Sequence, residues 1–178
     1  MQTDLYHKEF EKYFASEVIK SQIAQAVQMV KETKRIFFIG NGGSNSICSH
    51  MMEDYMKAGG KKTFAFSDPP LITCFANDYG YENAFQKWIE FNFEKGDMLI
   101  AISSSGESKN IINAAYQAKK LGGKIISLSG FSADNSLSKT GDINFVTPTR
   151  NYGIVECFHQ VILHIILDKM VDYRGTDL

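Results

Sequence analysis

Residues 3–33 place Leu5, Phe10, Phe14, Val18, Ile23, Val27 and Val30 at steps near four, with Lys, Glu and Gln between them. That is helical spacing. No glycine or proline falls inside the stretch, so one long helix, or two broken near Ser16, is predicted ahead of the first strand. Such an arm covers a sheet or packs on another subunit. From Arg35 the rhythm changes to short apolar runs, RIFFI at 35–39, TFAF at 63–66, MLIAI at 98–102, KIISL at 124–128 and INFV at 143–146. Helical segments and the turn signals GNGG, Gly59-Gly60, Gly96-Asp97, SSSG, Gly122-Gly123 and Gly141-Asp142 separate them. Near-continuous apolar strands alternating with helices predict an α/β fold, a five-stranded parallel sheet covered on both faces. Pro69-Pro70 interrupts the chain before a short helix, and Asn77-Asp78 is expected in a turn ahead of Gly80. Tyr81–Phe93 reads as a helix with Trp88 in the core. The last helix, about Gly153 to Tyr173, is apolar nearly all round its centre, which predicts burial against the sheet and against another chain. The expected organisation is one domain over 1–178, with a helical arm at 1–33 and an α/β core at 34–178.

Composition narrows the partners. The 178 residues are 44% hydrophobic and 22% charged, and 19 basic against 20 acidic residues give a formal net charge of −1 without long runs of one sign. Nothing here suits a phosphate backbone, so nucleic acid is not expected as a partner. Cys48, Cys74 and Cys157 are odd in number and form no C-x-x-C, which fits a reducing compartment. The first residues lack the apolar core of a signal peptide, and the aliphatic run around Val161–Leu167 is too short to span a bilayer. A cytoplasmic location without membrane contact is expected.

The candidate chemistry lies at the strand ends, where open parallel sheets bind ligands. After the first strand comes GNGGSNSICSHMMED, Gly40 to Asp54, read as strand, glycine turn and helix. Glycines there free the backbone N–H groups at the helix start to face an anion, and Ser44 adds a hydroxyl as N-cap or ligand contact. The dinucleotide fingerprint fails at Asn45, and the Gly-Lys-Ser/Thr of a Walker A loop is missing. An ordinary strand-to-helix turn would also want these glycines. After the third strand, ISSSGES repeats the design. Ser103, Ser104, Ser105 and Ser108 offer hydroxyls, and the following helix offers its positive end to a phosphate. Four serines without a lysine suit a small phosphate monoester; a plain serine-rich turn with an N-cap is the alternative.

His50 and Asp54 stand four apart on one helix face. His164 interrupts VILHIIL, with Glu156 eight positions earlier on a similar face. Together the four can bind a divalent metal such as zinc or serve as acid and base. His159 lies about 140° round the helix from His164 and should not share its site.

With GNGGS, His50, Asp54, ANDYGY at 76–81, ISSSGES at 102–108 and the pair His159 and His164 in this order, the sequence resembles the sugar isomerase (SIS) domain family, and within it the phosphoheptose isomerase group. The resemblance implies a three-layer sandwich on a five-stranded parallel sheet and a homotetramer with sites at subunit interfaces. It implies a sugar phosphate held by the serine loop, with Asn41, Gly42, Gly43, Asn77 and Asp78 along the sugar. His50, Asp54, Glu156 and His164 fall at zinc-ligand positions, with Asp54 as catalytic carboxylate and His164 as second acid/base. The chain departs from the family in having Asp at 54 and Glu at 156, where Glu and Gln are usual, and in Lys57-Ala58 and the segment GIVEC. The implied activity is aldose–ketose isomerisation, of sedoheptulose 7-phosphate to D-glycero-D-manno-heptose 7-phosphate. The competing expectation is a non-catalytic tetrameric scaffold of the replication-initiator-binding kind, or a sugar-phosphate sensor.

Overall fold

A computed structural model describes residues 2–173. Met1 and residues 174–178, assigned above to the arm and the core, lie outside the described residues. The arm is two helices, α1 (Gln2–Ala15) and α2 (Glu17–Glu32), separated at Ser16, whose backbone is extended. The chain then alternates β1 (Arg35–Ile39), α3 (Gly43–Lys57), β2 (Lys62–Ala65), α4 (Pro69–Tyr79), α5 (Tyr81–Asn92), β3 (Met98–Ser103), α6 (Lys109–Lys120), β4 (Lys124–Gly130), a 3-10 turn at Leu137–Lys139, β5 (Ile143–Thr147) and α7 (Tyr152–Val171). All strand pairings are parallel, in the order β2-β1-β3-β4-β5.

Because successive strand side chains face opposite ways, the sheet feeds two cores. Ile36, Phe38, Ile100 and Leu128 pack with α2, α3 and α7, and the arm's Phe10 stacks on Phe158 at 4.2 Å between ring centres. Phe37, Ile39, Leu99 and Ile125 pack with α5 and α6 around Phe66, Phe85 and the buried Trp88. The chain is therefore the three-layer α/β sandwich expected. Among the described residues, no helix is long and apolar enough to cross a membrane.

Two local readings change. Pro69-Pro70 starts α4 instead of breaking the chain: proline has no N–H to lose in a first turn, and Asp68 caps it by accepting from Leu71 N at 3.0 Å. Asn77 and Asp78 therefore lie in the last turn of α4, before Gly80 with φ of 76°. Ser44 is not an N-cap: α3 begins one residue before it, Gly42 occupies the cap position, and Ser44 is buried in the first turn.

α3 and α7 run side by side in the same direction. The buried Tyr55 hydroxyl donates to Leu163 O at 2.9 Å, and a side chain on Gly59 would meet Leu167 and Met170. His159 points away from this pair. It is fully buried, donates from Nε2 to Ser129 O at 3.2 Å, and leaves Nδ1 unpartnered. Burial holds its pKa down to about 4, against 6.5 for a free imidazole. The unfolded chain therefore binds a proton that the folded chain refuses, and stability should fall as pH drops from about 6.5 toward 4. At about 1.4 kcal/mol per pH unit the loss is on the order of 3 kcal/mol. Denaturant midpoints across this window should fall more steeply for the wild type than for His159→Gln, which keeps a donor but cannot ionise.

Candidate active site

The two loops meet at one cleft beyond the carboxyl ends of β1 and β3. It has a volume of about 290 Å³ and is lined by Asn41, Gly42, Gly43 and Ser44 from the first loop and Ser103, Ser104, Ser105 and Ser108 from the second, with Tyr152 and Glu156 of α7 closing it. Gly43 and Ser44 of α3, Ser108 at the N-cap of α6 and Tyr152 of α7 all line it, so three helix dipoles present their positive ends near one space. Gly42 has φ of 53° and Gly106 has φ of 69°, a backbone that side chains disfavour. A Cβ on Gly106 would also overlap the buried Asn135.

The serine loop is held in shape from outside. Leu137 N donates to Gly106 O at 2.9 Å, and the Glu107 carboxylate accepts from Ser136 N at 2.8 Å and Ser136 Oγ at 2.7 Å. Those two bonds, the largest causes, pull the Glu107 pKa below the usual carboxylate range. Within the loop, Ser103 Oγ donates to Ser108 Oγ at 3.0 Å, and Glu107 N donates to Ser105 Oγ at 3.2 Å. The first loop has its own support. Asn41 Oδ1 accepts from Tyr81 Oη at 2.7 Å and from Asn110 Nδ2 at 2.9 Å, while Asn41 Nδ2 donates to Asn110 Oδ1 at 3.0 Å.

One segment further along α3 and α7, His50, Asp54 and His164 come together, with one possible ligand atom from each within 4.8 Å of the others. Asp54 Oδ2 is 3.3 Å from His50 Nε2 and 3.7 Å from His164 Nδ1. Tetrahedral zinc with bonds of about 2.0–2.1 Å spaces its donors about 3.3 Å apart, so the two carboxylate–imidazole spacings are of the size such an ion needs. The cluster is reachable: the His50, Asp54 and His164 side chains are 53%, 30% and 36% exposed.

Glu156, expected as a fourth ligand, is not part of this group. Its carboxylate lies over the start of α3, where a Cβ on Gly43 would be 2.6 Å from Glu156 Oε1. The bare backbone of Gly43 makes room there, and the positive end of α3 favours a carboxylate. Asn77 and Asp78 also stand apart: they are exposed on α4, hydrogen-bonded to each other at 2.9 Å, and do not line the cleft. Three residues not singled out from the sequence enter instead. Tyr81 and Asn110 orient Asn41. Gln160 Nε2 lies 2.9 Å from His164 Nε2 and 3.2 Å from His50 Nδ1. Its place one helical turn before His164 puts those two on one face, but its contact with His50 depends on the packing of α7 along α3.

A parallel sheet with a serine- and glycine-lined cleft beyond its carboxyl edge, and a carboxylate–imidazole cluster further along the same helices, is the arrangement in which open α/β sheets place their ligand sites. The chain belongs to the SIS domain family, whose model matches residues 9–130. It is 35% identical over 175 residues to the phosphoheptose isomerase of Fusobacterium nucleatum, covering 92% of this chain and 90% of the relative. Against the phosphoheptose isomerase of Glaesserella parasuis it is 34% identical over 143 residues, 77% of this chain and 74% of the relative. The solved phosphoheptose isomerase of Neisseria gonorrhoeae superposes with a TM-score of 0.87 over 96% of this chain and 95% of that one, at 22% identity, a likeness of fold.

Proposed function

We propose that this chain is a phosphoheptose isomerase, interconverting sedoheptulose 7-phosphate and D-glycero-D-manno-heptose 7-phosphate. The observation that carries the reading is the joining of two sites along α3 and α7, a serine-lined cleft at their N-termini and the Asp54–His164 pair further along. From Glu156 at the cleft to His164 is eight residues, about 12 Å of helix rise. An extended seven-carbon sugar phosphate suits that separation. Relatives named phosphoheptose isomerase over most of the chain support the same activity.

In this reading Ser103, Ser104, Ser105 and Ser108 hold the phosphate, and anchoring it converts binding energy into orientation of the carbonyl end. Asn41, Gly42, Gly43 and Ser44 follow the sugar from one side and Glu156 from the other. Asp54 removes the proton from the carbon beside the carbonyl, and the electrons move onto the oxygen to give an enediolate. His164 carries a proton between the two oxygens or back to the neighbouring carbon. His50, Asp54 and His164 would hold a divalent ion, with zinc fitting the donor spacing, and such an ion polarises a carbonyl and stabilises charge developing on its oxygen.

The reading includes a homotetramer in the cytoplasm. α4 carries Leu71, Ile72 and Phe75 without one fully buried residue, and Phe91 and Val18 are 64% and 67% exposed. This is apolar surface that a second copy would cover, and Asn77 and Asp78 on α4 would reach a sugar across such an interface. The three cysteines are free, as a reducing compartment would leave them. Light scattering at micromolar concentration should return about four times the 20.0 kDa chain mass; 20.0 kDa itself would remove the interface.

The activity is tested by following ketose phosphates of four to seven carbons with the wild-type protein by NMR. Conversion of the seven-carbon substrate above the shorter ones is expected. Binding without conversion of any of them would favour the sensor or scaffold.

A further inference from the structure

The amide of Gln160 occupies a position that no part of the isomerisation uses. It stands on the far side of two imidazoles from Asp54. His50 turns Nε2 to Asp54 Oδ2 at 3.3 Å and Nδ1 to Gln160 Nε2 at 3.2 Å. His164 turns Nδ1 to Asp54 Oδ2 at 3.7 Å and Nε2 to Gln160 Nε2 at 2.9 Å. Asp54, His50, Gln160 and His164 thus form a closed ring of polar contacts. Met51 Sδ, 3.0 Å from Gln160 Nε2, flanks the amide. The two ring centroids are 5.3 Å apart with planes at 74°, so neither imidazole can turn its other edge without losing a partner.

The hydrogen inventory of this ring has two solutions. A neutral imidazole has one N–H and one lone pair, an amide has an NH₂ donor end and a carbonyl acceptor end, and an ionised carboxylate only accepts. When Asp54 receives N–H from both imidazoles, both lone pairs face Gln160, and its NH₂ must point inward with one hydrogen for each. When a cation takes the lone pairs on the Asp54 side, both N–H groups face Gln160, and only its carbonyl can accept them. We propose that Gln160 is a positioning residue for the cluster, a side chain whose amide turns over to set which edge of His50 and His164 carries the proton. With NH₂ inward it holds the imidazoles as proton donors toward Asp54; with the carbonyl inward it holds them as ligands for a divalent cation. An outer partner that accepts from a ligating imidazole also raises its basicity, and loss of one costs about 10–100-fold in metal affinity. The functional consequence rests on the reading of Asp54 and His164 as the reacting pair, but the geometry of the ring does not.

Glutamate and leucine at position 160 separate this from a packing role. A carboxylate can only accept, so Gln160→Glu fixes the ligand-presenting state; Gln160→Leu removes both states at similar size. The measurements are ¹⁵N NMR of histidine tautomers in metal-free protein and zinc affinity by chelator competition, for wild type and both variants. Metal-free wild type should carry its protons on His50 Nε2 and His164 Nδ1, and Gln160→Glu should move them to His50 Nδ1 and His164 Nε2. Zinc should bind about tenfold or more tighter to Gln160→Glu than to wild type, and about tenfold or more weaker to Gln160→Leu. Identical tautomers in all three proteins, affinity changes of the same sign in both variants, or zinc binding by none of them would overturn the proposal. Neither readout involves sugar turnover, so failure here and failure of the isomerase reading are separate results.

Discussion

Asp54→Ala is expected to lower turnover of sedoheptulose 7-phosphate by about a thousandfold while leaving the fold unchanged. Removing a positioned general base costs about 10²–10⁴ in rate, because the proton beside the carbonyl then has no acceptor at hydrogen-bond distance. The fold should not notice. Asp54 is about a third exposed, and its carboxylate faces the two histidine side chains of the same cluster. His164→Ala should lose activity comparably, and the double variant should lose little more than the worse single one, since the two act as a unit. Asp reaches about one methylene less far than Glu would, and a misplacement near 1 Å can cost about a hundredfold. In this chain Asp54 Oδ2 stands 3.7 Å from His164 Nδ1, so the shorter carboxylate still comes close to the imidazole it would work with. Steady-state kinetics with circular dichroism on the same samples checks the prediction; an active Asp54→Ala protein would remove Asp54 as the base.

Ser105→Asp is expected to abolish sugar-phosphate binding. Ser105 is a half-exposed residue on the wall of the cleft, and its Oγ accepts from Glu107 N. An aspartate there keeps an acceptor for that N–H, so the loop retains its shape. Its charge would stand close to the phosphate. Two unit charges about 4 Å apart at an effective dielectric constant near 20 repel by about 4 kcal/mol, more than a hundredfold in affinity. Ser105→Ala, which removes only a neutral hydroxyl, should cost about tenfold or less. Calorimetric titration with sedoheptulose 7-phosphate distinguishes the two, and equal affinity of wild type and Ser105→Asp would move the phosphate out of the serine loop.

Much of this arrangement was legible from short-range pattern. Apolar runs bounded by glycine turns marked all five strands within a few residues, because strands buried on both faces have little freedom of composition. A break near Ser16 was one of two readings of the arm, Trp88 was expected in the core, and the separation of His159 from His164 followed from helical periodicity. The two strand-to-helix loops after β1 and β3 were legible because glycine and serine after a strand have a local reason to be there. What was hidden depends on which helices lie side by side. Gln160 reads as one polar residue on an apolar helix; only the packing of α7 along α3 puts its amide between His50 and His164. The position of Glu156 was hidden for the same reason, since the space it fills exists because Gly43, on another helix, has no side chain. Nothing in the sequence marks Asn110, in the first turn of α6, as a partner of Asn41, to which it is bonded at 3.0 Å. Asn77 and Asp78 were misjudged locally, because two prolines were read as a break where an aspartate cap makes them a helix start.

In the proposed reaction Asp54 and His164 move a proton on a substrate anchored about 12 Å of helix rise away. It is tested most directly by incubating the wild-type protein with sedoheptulose 7-phosphate in D₂O and following the sugar by NMR. Proton removal to an enediolate predicts an aldose heptose 7-phosphate carrying solvent deuterium at the carbon next to the carbonyl, with neither product nor label from Asp54→Ala. Sedoheptulose 7-phosphate that binds the wild type yet returns unlabelled and unconverted would contradict the claim.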